Sequence, residues 1–233
     1  MIDIQNTSKS FNGTFALKNL NLKINAGEIV GLLGANGAGK STTINILLGF
    51  LAHDSGQVQI NGLDVGTNVT ATRKLIGYIP ENVNLYPYLT GLENLDYFCK
   101  LADLKYNKQE LSSFLTECGL QQEAHAKQVE NYSKGMRQKV GIAIAYAKKA
   151  KVYLLDEPAS GLDPLASNEL SALLKKLATN GAAILMASHD IFRVKETCNR
   201  IGILKHGELL QDIQASDISS NDLEKLYLNF MQN

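Results

Sequence analysis

The segment "GLLGANGAGKSTTINILLGFL" occupies residues 31–51 and changes pattern twice along its length. It begins as an apolar run ending in glycine, which predicts a strand buried on both faces, and it ends as a helical pattern. Between them, residues 34–41 match the pattern G-x-x-x-x-G-K-[S/T]. In this strand-to-helix context the pattern predicts a loop whose backbone amides surround phosphate groups.

The residue types of this loop predict distinct roles. Recurring glycines let the chain wrap closely, so that the amides of residues 36–42 can point at phosphate oxygens, and the helix start adds attraction for anions. Lys40 is expected to reach the β and γ phosphates and to act in catalysis, and the Ser41 hydroxyl is expected to hold Mg²⁺. The predicted nucleotide-binding residues of the loop are Gly34, Asn36, Gly37, Ala38, Gly39, Lys40, Ser41 and Thr42.

An adjacent pair of carboxylates follows a second apolar run, "VYLLDEP", at residues 152–158. The run predicts a strand that delivers Asp156 and Glu157 to the carboxyl edge of a parallel sheet, where ligands bind. Asp156 suits a metal ligand, and Glu157 suits the group that orients or deprotonates an attacking water. Nucleotide kinases must exclude water, so the pair favours hydrolysis. His189 ends a further apolar run and is expected to reach the γ-phosphate.

The order of elements predicts the fold class. Alternating residues and an Asn12-Gly13 turn predict antiparallel strands in the first 25 residues, whereas about 90–149 carries apolar residues three and four apart. The sequence therefore predicts an α/β fold: a P-loop NTPase core with a mostly parallel sheet, an N-terminal antiparallel β subdomain and an inserted α-helical subdomain. We expect one domain over 1–233, with its core at 1–89 and 150–220 and a C-terminal helix at about 221–233.

Helix caps are expected at three asparagine or aspartate residues. Asp163 precedes Pro164 at the start of a helix, and Asn221 is expected to cap the C-terminal helix. "NKQE" at 107–110 resembles the base-reading element of guanine-nucleotide proteins. Its last residue is Glu and it follows a helical pattern, so we interpret Asn107 as a helix cap and expect adenine to be the base.

Composition limits the classes of partner. Lys plus Arg equals Asp plus Glu at 23 each, a poor basis for nucleic-acid binding, so we expect none. Charge-free stretches such as Ser41 to His53 fall short of the ~20 apolar residues of a membrane span, and no export leader opens the chain. The three cysteines lack metal-site spacing. We expect a cytoplasmic protein.

Taken together over nearly the whole chain, these motifs resemble the ATP-binding subunit of an ABC transporter. The family's D-loop corresponds to "SGLD" at 160–163, and its switch histidine to His189. Phe11 occupies the place of the aromatic residue that stacks on adenine. "IGYIPEN" at 76–82 corresponds to the loop that joins the core to the helical subdomain, and "NYSKGMRQK" at 131–139 contains the signature segment, residues 132–136.

Two positions depart from the family pattern. The signature usually reads Leu-Ser-Gly-Gly-Gln, whereas only Ser133 and Gly135 are kept here. A serine hydroxyl and a glycine amide at a helix start can still donate to a γ-phosphate, and Lys134 adds positive charge. Glu81 stands where the family usually has glutamine. Both departures resemble the branch of separate ATPase subunits that drive exporters.

The resemblance implies a function and partners. It implies a head-to-tail dimer around two ATP, with a second ATPase subunit, that drives export through a separate membrane permease contacted near 81–90 and the helical subdomain. The protein is then peripheral on the cytoplasmic face of the membrane. It implies catalytic roles for Glu157, His189, Lys40 and Glu81, nucleotide contacts by Phe11, Ser133, Gly135 and Asp163, and Mg²⁺ ligands in Ser41, Asp156 and Glu81. Alternatives are a non-transport ATPase of this type and a phosphotransferase.

Overall fold

Residues 1–232 are described by a computed structural model, and within them ten strands form two sheets that helices cover. The strands are β1 Ile2–Phe11, β2 Thr14–Ile24, β3 Ile29–Leu33, β4 Ser55–Ile60, β5 Leu63–Asp64, β6 Ile76–Ile79, β7 Val152–Asp156, β8 Ala183–Ser188, β9 Arg200–Lys205 and β10 Glu208–Gln214. The α-helices are α1 Lys40–Leu47, α2 Val69–Lys74, α3 Gly91–Leu101, α4 Lys108–Glu117, α5 Lys134–Ala147, α6 Pro164–Thr179, α7 Ile191–Thr197 and α8 Ser220–Gln232.

The larger sheet has the order β10-β9-β3-β8-β7-β6, and its strands are parallel except for β10. All five residues of β3 are buried, as its continuous apolar run predicts. The register pairs Leu33 with Ser188 and Asp156 with Ala187. Three strands therefore end side by side at one edge of the sheet, which positions the segments that follow them.

The smaller sheet is antiparallel, with the order β2-β1-β4-β5. Its hairpin turns lie at Asn12-Gly13 and Asn61-Gly62, where both residues of each turn have positive φ, as the sequence predicts. Helix α1 lies between the two sheets, because Ile44 and Leu47 share one buried cluster with residues of β1 and β7. The expected P-loop core with an antiparallel β subdomain is confirmed.

Helices α3, α4 and α5 lie between β6 and β7 in the chain and pack on one another. Asn107 caps α4, since its side chain accepts from the amides of Gln109 and Glu110, each at 3.0 Å. One expectation about the approach to these helices is wrong. Residues 76–82 are not all loop: Ile76–Ile79 forms β6, which pairs with β7, and the loop begins at Pro80.

The ends of α6 and α8 are defined by side-chain caps. Asp163 Oδ1 accepts from Ala166 N at 2.8 Å, with Pro164 at the first helical position, as expected. The expected Asn221 cap is wrong, because α8 begins at Ser220 and the Ser219 hydroxyl accepts from Asp222 N at 3.1 Å. Apolar residues of α8 pack on the core, and none of the helices within 1–232 is both long and apolar enough to span a membrane.

The α4 cap gives a test of the fold. Replacing Asn107 with Ala should lower the free energy of unfolding by about 1 kcal/mol, because two amides of the first turn lose their acceptor. Urea unfolding followed by circular dichroism measures the change. The matched control is Gln109→Ala, on the same exposed turn, which should have little effect. Equal losses in the two variants would show that the cap contributes nothing specific.

Candidate nucleotide site

The phosphate loop, residues 34–41, runs from the end of β3 into α1 and approaches neighbouring backbone too closely for side chains. A Cβ atom at Gly34 would lie 2.5 Å from Leu204 O, and one at Gly39 would lie 2.5 Å from Ala16 O. Gly39 also has φ of 111°, which favours glycine. The loop is therefore fixed between β9 and β2, and it presents the first amides of α1 at the sheet edge.

Lys40 is the buried cation of this loop, at 6% exposure. Its Nζ donates to Gly34 O at 2.7 Å and to Ala35 O at 3.2 Å, and it lies 3.7 Å from Glu157 Oε1. The two carbonyls orient the ammonium group, and the carboxylate balances its charge. A positive charge is thus held between the phosphate loop and the acidic pair.

Glu157 is fixed from two sides by residues at the end of β8. Ser188 Oγ donates to Oε2 at 3.0 Å, and His189 Nδ1 lies 2.8 Å from Oε1. The backbone of Glu157 has φ of 46°, an uncommon conformation for a residue with a side chain, and its amide donates to Ala187 O. Glu157 is 9% exposed, and these contacts hold its carboxylate in one orientation.

Asp156 lies near Ser41, and both residues line the same cavity. Burial raises the pKa of Asp156, and the negative charges of Glu157 and Glu81 raise it further, while Ser41 and Lys40 oppose the rise. Carboxylate and hydroxyl oxygens suit Mg²⁺, which binds through one or two protein groups together with phosphates and water. No cluster of three or more His, Cys, Asp or Glu able to hold a metal occurs among residues 1–232. The oxygens of Asp156 and Ser41 fit Mg²⁺ that is also bound by phosphates.

These groups surround one cavity of about 370 Å³ at the carboxyl edge of the larger sheet. It is lined by Ala35, Asn36, Gly37, Gly39, Lys40, Ser41, Thr42, Glu81, Asp156, Glu157 and His189. Gly34 and Ala38 are expected site residues that lie behind this surface. The Ala38 side chain is buried and its amide donates to Ala35 O, so it does not line the cavity. The phosphate loop, the two carboxylates and His189 therefore meet around one cavity.

Other expected site residues lie around a separate cavity of about 290 Å³. Ser133, Gly135 and Asp163 line it, at the start of α5 and before α6. Ser133 caps α5, since its Oγ accepts from Met136 N at 3.2 Å, and Lys134 Nζ donates to Ser160 Oγ at 2.9 Å. The signature segment and the D-loop segment, residues 160–163, are therefore joined to each other and lie apart from the lining of the phosphate cavity.

Phe11 is not among the residues that line either cavity. It lies at the end of β1, 48% exposed, with Lys9 Nζ 5.4 Å from its ring centroid. An exposed ring at a strand end is accessible to a stacking partner. Its contact with adenine stays a prediction.

Sequence reasoning missed two polar residues of the site. Ser188 is buried and donates to Glu157, and its one signal was its place directly before His189. Gln138 is 1% exposed, and its Nε2 donates to Pro158 O at 3.1 Å and to Pro80 O at 3.4 Å. A glutamine inside an amphipathic helix gives no sequence signal of this kind, because its partners are distant in the chain.

Comparison with known proteins agrees with this geometry. The ABC transporter family matches residues 17–160. The chain is 33% identical over 222 residues to the linearmycin resistance ATP-binding protein LnrL of Bacillus subtilis, covering 94% of this chain and 71% of that protein. It is 33% identical over 219 residues to the bacitracin transport ATP-binding protein BcrA of Enterococcus faecalis, covering 94% and 70%. A dimeric ATP-binding cassette solved in a post-hydrolysis state with ADP and Pi superposes with a TM-score of 0.85 at 29% identity, covering 92% of this chain and 99% of that chain.

The phosphate cavity predicts the effect of removing its cation. Lys40→Ala should weaken ATP binding by at least about tenfold, because a hydrogen bond to a charged group contributes roughly 1.5–3 kcal/mol. Isothermal titration calorimetry measures the affinity. Lys74→Ala, which removes an exposed lysine of α2, should bind ATP as the native chain does. Unchanged affinity in Lys40→Ala would remove the assignment of this loop to phosphate.

Proposed function

This chain belongs to the ABC transporter family and is an ATP-binding ATPase of that family, and we propose that it dimerises around two ATP and drives export through a separate membrane permease. The observation that carries the proposal is the division of the site between two cavities. One holds the phosphate loop and the acidic pair. The other holds the signature serine, which has no part in the lining of the first.

A second copy of the chain completes the site in this proposal. If two copies meet head to tail, the Ser133 hydroxyl and Gly135 amide of one copy reach the γ-phosphate bound by the other, and two-fold symmetry makes two equivalent sites. The structural relative is itself a dimeric cassette, which supports the arrangement. The start of α5 keeps Ser133 and Gly135, the two donors that this arrangement needs, although the other three signature residues differ from the family pattern.

The residues of the phosphate cavity have defined roles in hydrolysis. Glu157, oriented by Ser188 and His189, positions the attacking water and takes its proton. Lys40 offsets the charge of the β and γ phosphates, and the His189 side chain contacts the γ-phosphate. Ser41 and Asp156, with Glu81 nearby, are the residues that would hold Mg²⁺, which offsets phosphate charge when bound. Loss of the γ-phosphate removes the group that joins the copies, so the dimer opens.

The role of Glu157 predicts a trapped dimer. Glu157→Gln should lower turnover by roughly 10²- to 10⁴-fold, because the general base is lost, while ATP affinity stays near native. Size-exclusion chromatography should then show a dimer that forms only with ATP and Mg²⁺. Adding Ser133→Arg to this variant is the control: it should keep ATP binding and abolish the dimer. Native turnover in Glu157→Gln would refute the assignment of the base.

An exposed aromatic surface supports a membrane partner. Tyr86, Tyr88 and Tyr97 form this surface beside the start of the helical segment, and Tyr88 is 76% exposed. The rings of Tyr86 and Tyr97 meet edge to face at 4.9 Å. The buried Asn94 holds their segment, since its side chain bonds both backbone groups of Tyr86 and also Thr90 O. Preformed exposed tyrosines are typical of interfaces, so we assign the permease contact to 81–90 and this surface.

The names of two relatives bear on the direction of transport. The relatives LnrL and BcrA carry names of antibiotic resistance and bacitracin transport, which favour export. A chain bound to a permease by this surface lies on the cytoplasmic face of the membrane. The alternative is an ATPase that acts on a macromolecular complex without a permease. In that case the aromatic surface should bind the complex, for example a ribosome, and no membrane protein.

The partner can be identified by co-purification. Tagged native chain should recover an integral membrane protein from a detergent extract of its own cells, and Tyr88→Ala should recover at least about tenfold less, since interface tyrosines can contribute 2 kcal/mol or more. Phe15→Ala removes an exposed aromatic from the antiparallel sheet and serves as the matched control. Recovery of ribosomes alone, with no membrane protein, would favour the alternative function.

A further inference from the structure

One buried side chain of helix α5, that of Gln138, forms hydrogen bonds to two segments beside the phosphate cavity. Gln138 Nε2 donates to Pro158 O at 3.1 Å and to Pro80 O at 3.4 Å, and the residue is 1% exposed. Pro158 directly follows Glu157, and Pro80 directly precedes Glu81. One amide group therefore contacts the backbone beside two acidic residues of the cavity.

The next turn of α5, at Gly141, packs directly against Val83, three residues after Pro80. A Cβ atom at Gly141 would lie 2.5 Å from Val83 Cγ2, so the helix backbone packs directly on this side chain. Gln138 and Gly141 are three residues apart and share one helix face. Segment 80–83 is thus held against α5 at two successive turns, by a hydrogen bond and by close packing.

The other end of this short path is the signature segment. Ser133 caps the helix that carries Gln138, and an α-helix is stiff over one to two turns. A shift of Pro80 or Pro158 therefore moves the start of α5, because a buried glutamine amide cannot leave its acceptors without loss of hydrogen bonds. Gln138 therefore lies on a short, buried path between the cavity and Ser133.

We propose that Gln138 is a positioning residue that couples the chain's own phosphate cavity to the signature segment it offers to a second copy. The proposal rests on the dimer of the proposed function. A positioning role differs from a merely structural role in one respect. When nucleotide binds in the phosphate cavity, the first turn of α5 should respond only if the Gln138 side chain is present. ATP affinity itself should not depend on it.

Two variants separate these roles. Gln138→Met keeps the length and removes both hydrogen bonds, and Gln138→Glu keeps the shape but cannot donate when ionised. We expect ATP affinity within about threefold of native in both, and turnover at least about tenfold lower at pH 8. Ser171→Ala removes a buried hydrogen bond between α6 and α7 and should keep native turnover, which controls for loss of stability.

The pH dependence of Gln138→Glu gives a readout that a structural role would not produce. Burial favours the neutral acid, which can again donate one hydrogen bond, so its turnover relative to the native chain should rise as pH falls from 8 to about 5.5. The ratio to the native chain removes pH effects that both chains share. Gln138→Met has no such proton, so its ratio should stay flat. Equal ratios at every pH for both variants would overturn the proposal.

Hydrogen exchange tests the coupling without hydrolysis or dimers. At a concentration where the chain is monomeric, ATP should change amide exchange at residues 134–137 in the native chain and in Ser171→Ala, but leave it unchanged in Gln138→Met that is saturated with ATP. An equal change in Gln138→Met would refute the coupling. Failure of the dimer in the Glu157→Gln experiment, with the coupling intact here, would refute the proposed function alone.

Discussion

The parallel pairing of β7, β8 and β3 is the constraint on which the site depends. The register sets Leu33 beside Ser188 and Asp156 beside Ala187. The three segments that follow these strands therefore leave the sheet side by side, although they are distant in sequence. The hydrogen bonds of the sheet thus place the phosphate loop, the acidic pair and His189 around one cavity. Ser188 and Lys40 then fix the Glu157 carboxylate in that space.

The same sheet cannot place the signature segment in that cavity. Ser133 begins a helix that is inserted between β6 and β7, and it lines a second cavity with the D-loop segment. One cavity of the chain holds the phosphate loop and the acidic pair, and the other holds the Ser133 and Gly135 donors. Such a chain is suited to act as a pair of copies. Gln138 connects the two cavities within one chain, so that binding at one cavity can bear on what the chain presents to its partner.

The sequence pattern predicts those elements whose structure depends on residues close together in the chain. The Asn12-Gly13 turn, the buried run of β3, the Asn107 and Asp163 caps and the phosphate loop each depend on residues within a few positions. The family resemblance assigns Ile76–Ile79 to a joining loop, and four residues carry too little pattern to show that they pair with β7. Ser219 competes with Asn221 as a cap, and only the hydrogen bond to Asp222 decides between them. Contacts of Ser188 and Gln138 join residues 20 to 58 positions apart, which no local pattern encodes.

Cross-linking between two differently marked chains shows whether a second copy completes each nucleotide site. One chain carries Asn36→Cys and the other Lys134→Cys, both with Glu157→Gln. Background is low because the three native cysteines are buried and burial raises the pKa of each thiol. With a short bismaleimide, the account predicts a cross-link between the two variants that forms only with ATP. No ATP-dependent cross-link, or equal cross-linking within each variant alone, would contradict it.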